Sequence, residues 1–563
     1  MLRPSSVSCY NAETSFMETR HSGKDTLFIV YIIFAALYLG VQMFQGLSYR
    51  DIGIYMSGSQ HFNEEPYATY YLGQWFLTYG LTNWLCHAFS LNSFIGLRVM
   101  HLVFVLCSQV LVYCYLKRHV APRHIVAGLF LATLAHFGSH TEINYNDYSA
   151  GLLTLSIMAF HSGASKDRAW LVCLSGAVAA VAFFFRIVNV TFIVLPFVSW
   201  LASLRWTVRM GVRRRFVSFF SGYAVGFLLV MSLVCAFGGE MADVFMATLA
   251  DIAAIGGDAS DPHGVKVVLI SIYTLYKGEV AGFSVVLLLA FFMALSCYRL
   301  RLAWRPFVMV PLVLLVVVSI YFWESPANIT IGLCLFALAL LFFADNVDDS
   351  FANLYVLSLC LPMVLPIGSN AGPDFYGKDI CFMSLPMAVA LVWRFRAPGR
   401  YARAYKSAAL AAYIAICLGM VYTNVNRPQM EEGNRLECRF GIDSPVAAHI
   451  LTNKANADMH NYLIKELRPV VPRGSYMICN FSLPVVSMLD CKMWGVTCTL
   501  FTTEKMNERY ISVAYAHTRK LPYLLLDKRA VTPADAHVRE CLERIRPYKT
   551  VWEDDDFILL KDC

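Results

Sequence analysis

Apolar positions along this chain fall into long unbroken runs rather than alternating or amphipathic stripes. Each run is close to the roughly 20 residues needed to cross a bilayer as a helix. The pattern predicts spans at 26–47, 92–116, 124–139, 148–163, 169–186, 187–203, 216–238, 280–298, 306–323, 327–343, 351–369, 379–395 and 405–423. Segment 169–203 reads either as one broken hairpin or as two spans, so the expectation is 11 to 13 transmembrane helices. The run from Thr26 to Leu47 is too long for a signal peptide and has no small-residue cleavage site, so it reads as a retained first span. The expected fold is an all-α polytopic membrane bundle with a soluble C-terminal α/β domain. Its parts are a tail at 1–25, a membrane domain at 26–423 with a first outer loop at 48–91, and a soluble domain at 424–563.

Composition agrees with a lipid environment. Of 563 residues, 58% are hydrophobic and 15% charged, with a mean hydropathy of +0.53. Soluble domains carry about 25% charged residues. The formal charge of +7 is too small and too dispersed to suggest nucleic acid, so its placement matters more than its sum. With the N-terminus inside, the inner loops collect the basic groups, most densely in the run from Arg205 to Arg215 and in that from Arg394 to Lys406. The outer loops before the soluble domain hold only Arg50, Lys266, Lys277 and Lys378. Positive charge retained inside predicts this orientation; the acidic inner loop Asp345 to Asp349 runs against the trend but contributes little.

The soluble part reads as β-rich runs at Ser475–Asn480, Leu521–Asp527 and Phe557–Lys561, with helix-like stretches at Ala455–Leu467 and Ala536–Ile545. Six cysteines lie there (Cys438, Cys479, Cys491, Cys498, Cys541, Cys563), on the oxidising side by this topology, where disulfides are open to them. Phosphate loops of the GxxxxGK[ST] type, HExxH, GxSxG and paired CxxC are all absent from the sequence. ATP-driven transport and zinc proteolysis lose support accordingly.

Polar residues near span ends carry the candidate chemistry. Asp51 follows the first span and opens the loop SYRDIGIYMSGSQHFNEEPYATYYLGQWFLTYGLTNWLCHAFSL; a carboxylate there serves as a base or merely caps a helix start. In HTEINYNDYS, Glu142, Asn146 and Asp147 offer oxygens of the kind taken by Mg or Mn, or else form an Asn-rich turn with Asp147 as the helix cap. Arg98 and Arg186 lie in apolar runs and either bind an anionic phosphate or snorkel to head groups. Lys277, Asp374 and Lys378 complete the outer-face set, the last two in GSNAGPDFYGKD.

The order of these features resembles the GT-C lipid-linked glycosyltransferases, in particular the bacterial branch with aminoarabinose transferases and protein O-mannosyltransferase-like enzymes. The resemblance rests on YRDIGIY after the first span, the aromatic run YLGQWFLTYGLTNWLCHAFSLNSFIGLRVM, NYNDYSAGLLTLSIMAF, FFFRIVNVTFIVLP and a soluble outer tail. It spans the chain by layout and residues 45 to 200 by motif. Two departures stand out: Asp51 is followed by Ile52 where the family often has a second acid, and Pro66-Tyr67-Ala68 stands where it often has Lys-Pro-Pro.

The resemblance implies transfer of a sugar from a polyprenyl-phosphate donor to a lipid, glycan or protein acceptor, with inversion. It implies a bacterial inner membrane, with the site and tail on the outer, periplasmic face. Asp51 would then be the general base and, with Asp147, a metal ligand. Arg186, Arg98 and Lys277 would hold the donor phosphate; Asp147, Glu142 and Asn146 the sugar or a divalent ion; Asp374 and Lys378 the acceptor loop. A transporter or flippase of a lipid-linked or anionic solute is the alternative; it predicts inverted repeats, and none is visible in the sequence.

Overall fold

The computed structural model describes residues 24–48, 51–62, 76–135, 142–237, 326–343, 347–365, 381–395, 401–426, 433–494 and 508–563 except 509, 510, 513 and 517. The expected spans at 280–298 and 306–323, together with Lys277, Asp374 and Lys378, lie outside them.

Apolar runs form helices where lipid leaves backbone groups no partner but their own chain. These are α1 (Lys24–Gln42), α2 (Asp51–Gln60), α3 (Phe76–Phe89), α4 (Phe94–Leu116), α5 (Pro122–Ala135), α6 (Tyr145–Lys166) and α7 (Ala169–Phe183). A 3-10 helix (Ile187–Val194) leads into α8 (Leu195–Ala202), followed by α9 (Val212–Phe237). Then come α10 (Pro326–Phe343), α11 (Asp349–Ser358), α12 (Cys360–Val364), α13 (Ser384–Arg394) and α14 (Tyr401–Asn426). Among the described residues, Asp25–Gln42, Phe94–Leu116 and Val212–Cys235 are long and apolar enough to cross a membrane, and seven further apolar helices are shorter. Leu27, Ile29, Val30, Ile33, Leu37 and Val41 of α1 face outward, as do Val225, Leu228 and Leu229 of α9. Water would penalise such a stripe; lipid does not.

Segment 169–203 resolves into two opposed arms. Met210 N donates to Ala164 O (3.1 Å) and Arg214 pairs with Asp167 (2.9 Å), so α7 and α9 start side by side. They also end together, where Phe183 and Phe184 pack with Val230 and Val234. The intervening 3-10 helix and α8 therefore run back, and Arg186 sits at the fold between the arms. The α7–α9 contact is close because Gly222 and Gly226 repeat at four-residue spacing: a Cβ on Gly222 would overlap Cys173 O, and one on Gly226 the backbone of Ala177.

The C-terminal domain holds α15 (Lys454–Leu467), α16 (Pro484–Met488) and α17 (Pro533–Ile545), with β1 (Phe440–Gly441) and β2 (Leu451–Thr452) as a separate pair. Its main sheet combines β3 (Tyr476–Cys479), β4 (Lys492–Met493), β5 (Tyr523–Asp527), β6 (Tyr548–Glu553) and β7 (Phe557–Asp562) in the order β4-β3-β5-β7-β6. The first three strands run parallel, and β7 and β6 are antiparallel additions. Alternation sorts the side chains. Met477, Cys479, Leu525 and Leu559 face α15 and α16, whereas Ile478, Leu524, Leu526 and Leu560 face α17. The described cysteines of this domain are all free thiols, so the disulfides open to them do not form among the described residues.

His460 of α15 is sealed in this domain. Its Nδ1–H donates to Asn456 O (2.7 Å), and Nε2 accepts from the Ser482 hydroxyl (2.8 Å), a pairing that requires the neutral ring. Burial lowers its pKa from 6.5 to about 4. The unfolded chain therefore binds a proton that the folded domain refuses, and stability is present above pH 6.5 and lost as pH falls towards 4. The full loss is on the order of 3 kcal/mol. Hydrogen exchange of β3 amides at pH 7 and pH 4.5 should show the weakening, and His460→Gln should flatten it.

Candidate functional site

The turn after α1 is where membrane and soluble parts meet. Gly46 takes φ +84°, a left-handed conformation that costs other residues strain. Its N–H donates to Leu451 O (2.8 Å), and Leu451 N–H donates to Phe44 O (2.7 Å), so the tail pins the chain just before Asp51. Phe94 N–H at the start of α4 likewise donates to Val446 O (2.8 Å). Helix α2, which Asp51 opens, packs under α16: a Cβ on Gly53 would overlap the Leu483 and Pro484 backbone, Ser487 Oγ donates to Gly53 O (3.4 Å), and Met493 N donates to Ser57 Oγ (3.2 Å). Helices α4 and α6 both begin at this end and run alongside one another, Tyr115 OH meeting His161 near their far ends. The basic loops at Lys117 and Lys166 thus lie at the opposite end from the tail.

Arg98 was expected at a phosphate or among head groups. Instead it is wholly inaccessible, and it donates through Nη1 to Met43 O (2.8 Å) and through Nη2 to Gly46 O (2.7 Å). Its Nε lies 3.9 Å from Glu142 Oε2, itself fully buried. A guanidinium shared between main-chain carbonyls and a carboxylate is spent on the turn that precedes Asp51. Snorkelling is overturned, because the first turn of α4 is covered by the tail rather than by lipid.

Glu142 begins the turn into α6, which Ile143 N–H holds to Leu97 O (3.1 Å). The helix cap is Asn144, not Asp147: Asn144 Oδ1 accepts from Asn146 N (2.7 Å), and Asp147 closes the capping box from the third position by accepting from Asn144 N (3.0 Å). The same Asp147 Oδ2 meets His101 Nδ1 at 3.0 Å. His101 was missed in the sequence, although it follows Arg98 by three positions and so shares its face of α4. Asn146 Oδ1 is buried without a hydrogen-bond partner among the described residues. This is an acceptor in need of a donor such as a ligand hydroxyl. Glu142 beside a guanidinium and Asp147 beside an imidazole do not make a hard-cation cage, which collects oxygens without cationic neighbours.

Arg186 sits where α7 ends, 5% exposed, with Nη1 donating to Leu365 O (2.7 Å) at the end of α12. Its guanidinium lies 5.7 Å from the Tyr145 ring centre, and Tyr145 meets Tyr55 edge-on at 6.0 Å. Tyr55 stands one helical turn beyond Asp51. Nearby, Tyr148 packs on Phe185 (5.0 Å), and its hydroxyl meets Thr82 Oγ1 at 3.1 Å. The start of α2, the start of α6 and the break after α7 therefore converge at the tail-facing end. Three of the predicted residues, Glu142, Asp147 and Arg98, are bound into its frame.

No family model and no curated protein matches this sequence. The chain is similar to the crystal structure of ArnT from Cupriavidus metallidurans bound to undecaprenyl phosphate, at 12% identity and a TM-score of 0.45, covering 96% of this chain and 98% of that one. It is also similar to ArnT from Cupriavidus metallidurans in the apo state, at 13% identity and a TM-score of 0.42, with the same coverage.

Proposed function

We propose that this chain is a membrane glycosyltransferase that moves a sugar from a polyprenyl-phosphate donor to an acceptor hydroxyl on the outer face of a bacterial inner membrane. The observation that carries the reading is the contact chain Tyr55–Tyr145–Arg186, which brings a cation at a helix break to within two ring contacts of the helix opened by Asp51. A lipid phosphate needs a cation beside the hydrocarbon, and an acceptor hydroxyl needs a nearby base. In this reading Asp51 removes the hydroxyl proton as the acceptor attacks the anomeric carbon, the carbon–phosphate oxygen bond breaks on the opposite side, and the configuration inverts. Arg186 offsets the charge that collects on the departing phosphate. Asn146 accepts from a sugar hydroxyl, Asp147 is steadied by His101, and Arg98 is a positioning residue rather than a phosphate ligand. Tyr145 links Arg186 to Tyr55 of α2.

The test is a transfer assay. Membranes holding the protein receive polyprenyl phosphate carrying a radiolabelled sugar, and label is followed into acceptor fractions. Transfer that persists in Glu13→Gln, a change in the polar tail at 1–25 ahead of the first span, and falls about 10²-fold in Arg186→Gln supports the proposal. Uptake of an anionic solute with no sugar transfer would replace it with the transporter.

A further inference from the structure

We propose that the C-terminal domain carries a zinc site made by Cys541, His537 and Glu508, separate from the transfer chemistry. His537 and Cys541 lie four positions apart on α17 and so project from one face. The Cys541 thiol donates to His537 Nε2 across 3.4 Å, and Glu508 Oε1 lies 3.8 Å from the same nitrogen. The three ligand atoms fall within 4.8 Å of one another. Bond lengths of about 2.3 Å to sulfur and about 2.0 Å to nitrogen and oxygen place tetrahedral ligands about 3.3–3.6 Å apart, so small shifts close the set around one ion. Sulfur and imidazole donors select zinc over magnesium or calcium. The sulfur is buried and Glu508 exposed, which leaves an entry side and a fourth position for water. Arg544 Nη1 donates to Glu508 Oε1 (3.3 Å) and steadies that carboxylate from outside.

Binding breaks the Cys541 S–H bond, forms a zinc–thiolate bond and releases the proton to solvent, so affinity rises with pH. Because α17 covers the sheet face opposite to the one that packs on α15 and α16, the ion would clip the segment bearing Glu508 to α17 without touching α2.

Full-length protein in detergent, stripped with chelator and then titrated with zinc, should bind one equivalent tightly and gain thermal stability. Cobalt in place of zinc should give the thiolate charge-transfer band in the near ultraviolet. Cys541→Ser should abolish that band, and His537→Ala and the surface change Glu508→Gln should each weaken binding at least about tenfold, while Cys563→Ser at the exposed C-terminus leaves it unchanged. Absence of a tight equivalent in the parent protein, or retention of tight binding by Cys541→Ser and Glu508→Gln alike, overturns the site. Sugar transfer should be the same with and without zinc, which keeps this result apart from the transferase reading.

Discussion

Asp51→Asn is expected to lower sugar transfer by about 10²–10⁴-fold, the usual contribution of a general base, with protein level and melting temperature unchanged. The substitution keeps size and helix-start preference, since Asn serves as well as Asp where a helix begins. Asp51 is the first residue of α2. That helix is held from several directions by other residues: Gly53 under Leu483 and Pro484, Ser57 on Met493 and Tyr55 on Tyr145. A loss of turnover in Asp51→Asn therefore reports on the proton, not on the fold. Kinetics should show the loss in kcat with KM for the donor little changed, if the proposed base acts on the acceptor hydroxyl. Asp51→Glu should recover part of the rate. Transfer within about twofold of the parent in Asp51→Asn would remove this residue from the mechanism.

Much of the membrane part was legible because lipid imposes a single rule on every span. The run read as 92–116 is α4 at Phe94–Leu116, and that read as 405–423 lies within α14 at Tyr401–Asn426. Arg186 was visible as a cation interrupting an apolar run, and the chain does break there. In the tail, three strands and two helices were readable from period and length, but β6 was not: its KTVWE run is half exposed at a sheet edge and lacks a continuous apolar face. What stayed hidden depends on partners distant in sequence. Whether Arg98 snorkels or is buried is decided by carbonyls at Met43 and Gly46, and whether α2 lies in the interface or against protein is decided by Pro484. Asn144 rather than Asp147 caps α6 because both residue types suit a cap and only the backbone angle at the helix start separates them.

Arg98→Leu should be the most damaging substitution for the fold at this end of the bundle. Removing one member of a buried ion pair leaves the other charge without compensation and costs about 3–5 kcal/mol, comparable to a large share of a domain's stability. Glu142 is wholly buried beside the guanidinium, and two carbonyls of the Met43–Gly46 turn lose their donor in the same step. The expected result is a fall in extractable, monodisperse protein and a lower melting temperature, with transfer lost in whatever protein remains because the turn leading to Asp51 is no longer held. Arg98→Lys should recover only part, since an ammonium lacks the planar fork that reaches separate carbonyls and the carboxylate together. The double variant Arg98→Leu/Glu142→Leu separates charge from geometry. Removal of both charges should restore more stability than either single change retains, yet leave transfer low because the carbonyls of Met43 and Gly46 remain unanchored. If Arg98→Leu instead melts with the parent and loses only affinity for the lipid donor, the guanidinium serves the phosphate after all and the positioning role fails.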